Sequence, residues 1–255
     1  MKILVATPIF DGMEYCFDKF IASIKKIDFP KFDILIVDNS KNKIFFEKIS
    51  RQTGFKTIYD DTNEQLNQKR LISSRNKIMD YAKDNGYDFL LFVDTDVIVP
   101  ENILNELLKA NKDVVSGLYY NYFYVSGEKR MMPVAWRYFT EEQFAEIKRR
   151  GLYPKINNRL DLRIKRYFTN EEIKSGEIIE AAIPSNGCVL FSRKVIESPF
   201  RYGTSEEFHG DDVFFFAHAR EKFKFYVHTG IICEHLILGK YKMDSKGNLL
   251  HPLGL

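Results

Sequence analysis

The stretch Phe89-Leu90-Leu91-Phe92-Val93-Asp94-Thr95-Asp96 sets five consecutive apolar residues directly before two carboxylates two positions apart. A run that is apolar at every position does not alternate as a half-exposed strand would, so it reads as a strand buried on both faces. Similar short runs lie upstream at residues 3–6, 34–37 and 56–59, and downstream at 114–118. Between them lie segments with helical spacing. In one, Phe17, Phe20, Ile21 and Ile24 share a face separated from Lys19, Lys25 and Lys26. A second spans about 69–82, with Ile72, Ile78 and Met79 on its apolar side, and a third begins at Pro100, where proline at the first helical position and Glu101 in the first turn suit a helix start. Buried strands alternating with helices predict an α/β fold, a mostly parallel central sheet flanked by helices. Strand-like runs return at 178–183, 188–191, 225–228 and 231–233, with a helix over about 212–222, giving a mixed C-terminal portion.

Composition narrows the class. The chain has 255 residues, 45% hydrophobic and 15% aromatic, which excludes a disordered protein. At this size folding hides roughly 70–75% of the unfolded surface, enough for one large domain. No apolar stretch approaches the ~18–20 residues of a membrane span, and the opening run is too short for a secretory signal. Cys16, Cys188 and Cys233 are odd in number and form no CxxC, which points to a reducing, cytoplasmic compartment. A net charge of +3 is no nucleic-acid signature.

In open α/β sheets ligands sit beyond the carboxyl ends of the strands, so the residues ending each run are the ones to weigh. With Pro100 as the first helical residue the cap falls at Val99, leaving Asp94 and Asp96 no capping task. Clustered carboxylates repel each other, and a hard divalent cation would offset that repulsion.

The order of motifs along the chain resembles that of GT-A fold nucleotide-sugar glycosyltransferases of the family 2-like branch. Ala6-Thr7-Pro8 ends the first strand, Val37-Asp38-Asn39-Ser40 the second, and a helix carries Ser74-Arg75-Asn76. Asp94-Thr95-Asp96 follows, then Asn186-Gly187-Cys188, Gly210-Asp211-Asp212 and His235 at a strand end. The resemblance covers residues 1 to about 235, with 121–176 matching poorly. It implies a donor half over 1–120 ending in the Asp-x-Asp strand, a basic elaboration over 121–176, and an acceptor-side, catalytic portion of the same domain over 177–255.

The resemblance also implies the chemistry. A nucleoside-diphosphate sugar would be the donor and a hydroxyl on a glycan, lipid-linked or protein acceptor the receiver, with inversion. Asp96, with His235 completing the coordination, would hold Mn²⁺ (or Mg²⁺), and Asp94 would lie near ribose and sugar. Thr7, Pro8, Asp38 and Arg75 match positions near the nucleotide, and Asn186 and Gly187 a turn that approaches donor sugar or acceptor. Asp212 matches the base that deprotonates the acceptor, while Asp211 stands where the family has Glu. Retaining chemistry remains open on the same fold, and a sugar-phosphate nucleotidyltransferase is the rival class, although it needs a glycine-rich phosphate loop where this chain has Thr7-Pro8-Ile9-Phe10-Asp11-Gly12.

Each assignment has a plainer structural counterpart. Asp38-Asn39-Ser40 reads as a turn, Arg75 as a solvated helix residue, Gly187 as a turn glycine, and one of Asp211 and Asp212 as a helix N-cap. Asp60 and Asp61, ending the third run, are further ribose candidates. Of the three phenylalanines 214–216, at most two fit a core-facing side of one helix. Residues 129–166 hold eleven Lys/Arg against four Asp/Glu and include Trp136. That stretch reads as a solvated charged face, with peripheral contact to an anionic membrane or an acidic acceptor as the functional alternative.

Overall fold

The computed structural model describes residues 1–125, 127–208 and 210–237, together with the backbone of residues 242–243 and 249–250. The remainder of the 177–255 portion lies outside the described residues.

The first half alternates as β1 (Ile3–Ile9), α1 (Glu14–Lys25), β2 (Asp33–Asp38), α2 (Lys43–Thr53), β3 (Lys56–Tyr59), α3 (Asn67–Asp84) and β4 (Phe89–Val93). Next come β5 (Val97–Ile98), α4 (Ile103–Lys109) and β6 (Val114–Leu118). The basic segment forms β7 (Tyr120–Val125), β8 (Glu128–Pro133), β9 (Trp136–Arg137), α5 (Glu141–Arg149), β10 (Arg166–Tyr167) and α6 (Asn170–Lys174). The chain closes with β11 (Ile178–Ala181), β12 (Cys188–Ser192), α7 (Arg193–Ile196), α8 (Asp211–Ala219), β13 (Phe225–Ile232) and β14 (Glu234–His235).

Eight strands form one sheet in the order β11-β13-β6-β12-β4-β1-β2-β3. The pairs β1/β2, β1/β4, β2/β3 and β13/β6 are parallel, whereas β12 runs antiparallel to β4 and β6, and β11 to β13. Six strands therefore share one direction, as the uninterrupted apolar runs predict. Alternate side chains divide between two cores. Ile3, Val5 and Ile9 of β1 and Leu91 and Val93 of β4 face α1, α2 and α4, while Leu4, Ala6, Leu90 and Phe92 face α3, α7 and α8. Phe215 and Phe216 of α8 are in the second core and Phe214 is half-buried, the division expected from helical spacing.

Three features differ from expectation. α4 starts at Ile103 rather than Pro100, whose carbonyl instead accepts the Ile103 N–H at 3.1 Å in the turn before the helix. β1 runs on through Thr7 and Pro8 to Ile9 because β2 continues beside it, pairing Pro8 with Val37 and Ile9 with Asp38. α2 had no counterpart in the apolar periodicity. Asn42 caps it by accepting from Ile44 N at 3.0 Å, and Gly54, at φ 67, supplies the left-handed residue that ends it. In the basic segment, where no pattern was apparent, Thr140 with Gln143 and Thr169 with Glu172 form capping boxes that start α5 and α6.

Among the described residues no helix is long and apolar enough to cross a membrane. All three cysteines are buried thiols.

Candidate active site

Because β12 enters the sheet antiparallel between β4 and β6, the turn preceding it lies at the same edge as the carboxyl end of β4. The Asp94 N–H donates to the Gly187 carbonyl at 2.9 Å. Beyond β4, the two-residue strand β5 pairs with β14 so that His235 lies opposite Val97, and Leu236 N donates to the Asp96 carbonyl at 2.7 Å. Residues far apart in sequence thus gather around one sheet edge. There a cavity of about 780 Å³ is lined by Pro8, Asn39, Ser40, Arg75, Asp94 and Asp96, among others.

Arg75 is the electrostatic centre. It projects from α3 with only 3% of its surface exposed. Its Nη2 lies 2.8 Å from Asp94 Oδ1 and its Nε 3.1 Å from Asp211 Oδ2, with the guanidinium 5.9 and 5.3 Å from the rings of Phe92 and Tyr202. The solvated reading of this residue is therefore wrong. Burial disfavours its charge, but Asp94 and Asp211 outweigh that and hold the guanidinium protonated. Burial likewise pushes the Asp94 carboxyl up to about 6 in spite of Arg75.

Asp96 and His235 form a second pair. His235 Nδ1 lies 2.8 Å from the Tyr120 carbonyl, which can only accept, so Nδ1 carries the proton and a neutral ring turns its Nε2 lone pair toward Asp96 Oδ2 at 3.3 Å. Two acceptors at that distance repel unless a proton or a cation lies with them. Burial opposes the imidazolium, but the hydrogen bond and charge of Asp96 prevail, and the His235 pKa is held above its ordinary value. The backbone bond at Nδ1 is the outer partner typical of a metal-ligating histidine. Among the described residues no group of three or more His, Cys, Asp or Glu side chains could enclose a metal ion. Asp96 and His235 suit a cation that takes its remaining ligands from phosphate and water.

Neither acid of the Asp211-Asp212 pair is the N-cap of α8. Gly210 holds that place, and both carboxylates lie in the first turn. Asp211 is committed to Arg75, whereas Asp212 Oδ1 accepts only the neighbouring Val213 N–H at 2.7 Å among its resolved bonds. Burial first, and the charge of Asp211 second, raise the Asp212 pKa.

Gly187 is more than a turn residue. A Cβ there would lie 2.8 Å from Tyr119 Oη and 3.0 Å from Asp94 Oδ2, so a side chain would displace the carboxylate. Tyr119, which the sequence reading missed, accepts the Gly187 N–H at 3.2 Å and packs edge-on against His235 with ring centroids 5.0 Å apart. Asn186 is buried and accepts from the Tyr202 hydroxyl at 3.0 Å.

Other candidates are placed differently. Thr7 is turned inward, its Oγ1 3.0 Å from that of Thr95, and positions the Asp94-Thr95-Asp96 turn without lining the cavity. Asp38 is fully buried. Its Oδ1 accepts from Ser40 Oγ at 2.6 Å and Ser40 N at 3.1 Å, its Oδ2 has no partner, and burial pushes its pKa up to about 6 against those two bonds. Asp60 is consumed by Ser73, Ser74 and Lys77 of α3, and Asp61 is exposed beside Lys77, so neither faces the cavity. Arg70, also missed, lines the cavity, donates to the Asn39 carbonyl and fixes the loop after β2.

The sequence model of glycosyl transferase family 2 matches residues 5–200. Uncharacterized protein 209 of Sulfolobus islandicus rod-shaped virus 1 is 26% identical over 168 residues, 64% of this chain and 73% of that protein. The fold is similar to that of GalNAc-T7, solved with UDP, GalNAc and Mn²⁺, at a TM-score of 0.59 and 11% identity over 93% of this chain and 44% of that one. It is also similar to the mannosyltransferase PcManGT from Pyrobaculum calidifontis, solved with GDP-Man and Mn²⁺, at a TM-score of 0.52 and 12% identity over 93% of this chain and 57% of that one. The chain spans about half the length of these two solved enzymes. At such identities the likeness is one of fold, the GT-A arrangement.

Proposed function

The chain belongs to glycosyl transferase family 2, and from that premise we infer that it transfers a sugar from a nucleoside-diphosphate donor to an acceptor hydroxyl with the help of a divalent cation. The observation that carries this reading is the meeting of Asp96 Oδ2 and His235 Nε2, 3.3 Å apart, with Asp96 lining the 780 Å³ cavity. When bound there, Mn²⁺ or Mg²⁺ would stabilise the negative charge that develops on the departing diphosphate.

The remaining steps belong to the chain's own groups. Asn39, Ser40 and Pro8 border the nucleoside end, and Asp38, fully buried behind them, holds Ser40 by accepting from its Oγ. Arg75 holds Asp94 toward the sugar and removes Asp211 from competition for the acceptor proton. Asp212 is then the base, taking the acceptor hydroxyl proton as the oxygen attacks the anomeric carbon. Its raised pKa brings it nearer the range where a carboxylate accepts a proton effectively at neutral pH. Direct attack of this kind inverts the anomeric centre. Gly187 lets Asp94 approach the backbone while Tyr119 closes the wall behind it.

Titration calorimetry with UDP and GDP, each with and without Mn²⁺, tests the reading. One nucleotide binds the native protein much more tightly with Mn²⁺, and Asp96→Ala removes the metal-dependent part. Equal affinity with and without metal for both nucleotides would overturn it.

A further inference from the structure

The basic segment that the family resemblance does not explain is joined to α8, the helix whose first turn carries the proposed base. Trp136 of β9 lies opposite Tyr167 of β10, and with Phe123 of β7 they form a half-buried ring cluster with centroids 5.6–5.9 Å apart. The Trp136 backbone N–H donates to the Ile183 carbonyl at 2.9 Å, tying the cluster to the chain that leads into Asn186 and Gly187. From the other side Arg220, at the end of α8, donates to the Leu160 carbonyl at 2.8 Å and the Tyr138 hydroxyl at 3.3 Å. The segment is therefore tied to the C-terminal end of the helix that opens with Asp211 and Asp212.

Lys165 stands between these two anchors. Its Nζ is 5.6 Å from the Trp136 ring centroid and donates to the Leu162 carbonyl at 3.2 Å. The arginines around it are matched: Arg137 and Arg166 by Glu172, Arg159 by Glu141, Arg163 by Asp161. Lys165 makes no ion pair among the described residues, although it is half-buried. The charge of Asp212 reaches it from beyond ion-pair distance, and burial still lowers its pKa. A partly desolvated ammonium without a counter-ion favours an anion arriving from outside. Half-buried aromatic rings beside it offer an apolar face with polar surroundings, the surface a sugar ring covers well.

We propose that Trp136 and Lys165 form an acceptor subsite for a sugar bearing an anionic group, phosphate or carboxylate, with the ring on the aromatic cluster and the anion on Lys165 Nζ. This rests on the reading of Asp212 as the base, which places the acceptor beside α8.

Trp136 is the only tryptophan, so its fluorescence reports the subsite directly. Native protein is titrated with glucose, glucose 6-phosphate and glucuronate. One or both anionic sugars are expected to half-saturate the emission change at a concentration roughly tenfold or more below that of glucose, the scale of a charge-assisted hydrogen bond. A response to glucose 6-phosphate alone assigns a phosphate-bearing acceptor, and one to glucuronate alone a carboxylate-bearing acceptor. Lys165→Gln brings the anionic sugars to within about twofold of glucose and Lys165→Arg keeps the preference. Equal response to all three sugars, or an unchanged preference in Lys165→Gln, overturns the proposal. Thermal shift with UDP or GDP and Mn²⁺ is run on the same samples. Failure of the native protein to respond to nucleotide would overturn the donor reading, while the fluorescence series judges the subsite separately.

Discussion

Replacing Arg75 by glutamine removes the cation that, among the described residues, pairs with both Asp94 and Asp211. Both partners are largely buried, with side-chain exposures of 26% and 13%, and Arg75 itself is nearly inaccessible. Glutamine can still hydrogen-bond one of the two carboxylates, but it carries no charge, and Asp96 and Asp212 already repel the same groups. Breaking a buried ion pair from one side costs about 3–5 kcal/mol. For a chain of this size that corresponds to a fall in melting temperature of about 6–20 °C. A cavity in the core would destabilise by a similar amount, so the pH dependence decides the cause. Without Arg75 the Asp94 carboxyl retains its proton to higher pH, and a protonated acid no longer repels its neighbours. The deficit relative to native protein is therefore largest above pH 7 and shrinks toward pH 5. Calorimetric unfolding of both proteins at pH 5, 6, 7 and 8 measures it. A loss below about 1 kcal/mol at pH 7, or one that is constant across the series, would refute the idea that Arg75 neutralises this cluster.

Two further outcomes follow from the site. Asp212→Asn keeps donor binding within about twofold in calorimetry and lowers turnover by about 10²–10⁴-fold, the usual range for a general base; unchanged turnover would reassign that role. Asp38, with its carboxyl raised to about 6, holds a proton in the folded state that the unfolded chain releases near pH 4. Its contribution is thus intact below about pH 4 and lost as pH climbs to about 6, on the order of 2–3 kcal/mol. Denaturant midpoints across pH 4–7 should flatten in Asp38→Asn, and an unaltered pH profile in that variant would show Asp38 ionised in the native protein.

How much of the candidate site's geometry was legible in the sequence varies residue by residue, for physical reasons. Asp94 and Asp96 were visible because a fully buried strand leaves an apolar run, and polar residues directly after it mark the sheet edge. Arg75 looked like a solvated helix position because its burial depends on Asp94 and Asp211, which reach it only through the tertiary fold. Tyr119 was hidden for the same reason, since a tyrosine after a strand carries no local sign of facing a glycine on a neighbouring turn. Pro100 misled because proline suits the turn before a helix as well as its first position. In 121–176 the hydrophobic period was weak, yet the two Thr-x-x-Gln/Glu caps were present in the sequence and marked both helices. The charge over 129–166 read as an excess in part because two partners lie just outside that stretch, Glu172 for Arg137 and Arg166 and Glu128 for Arg130.

The pairing of β5 with β14 bears on how the molecule is made. Asp96 and His235 are 139 positions apart, and the bond from the Tyr15 hydroxyl to the Leu236 carbonyl, 2.8 Å, closes a loop of 221. Contacts of such span are entropically expensive to form early, and chains rich in them fold slowly. The Asp96–His235 pair therefore comes together only once residues through 235 have been synthesised and the sheet between them ordered. A nascent or cleaved chain ending before residue 234 could build the β1–β4 half of the sheet and still lack one side of that pair. If the pair holds a cation as proposed, that affinity would appear only after β14 has docked on β5.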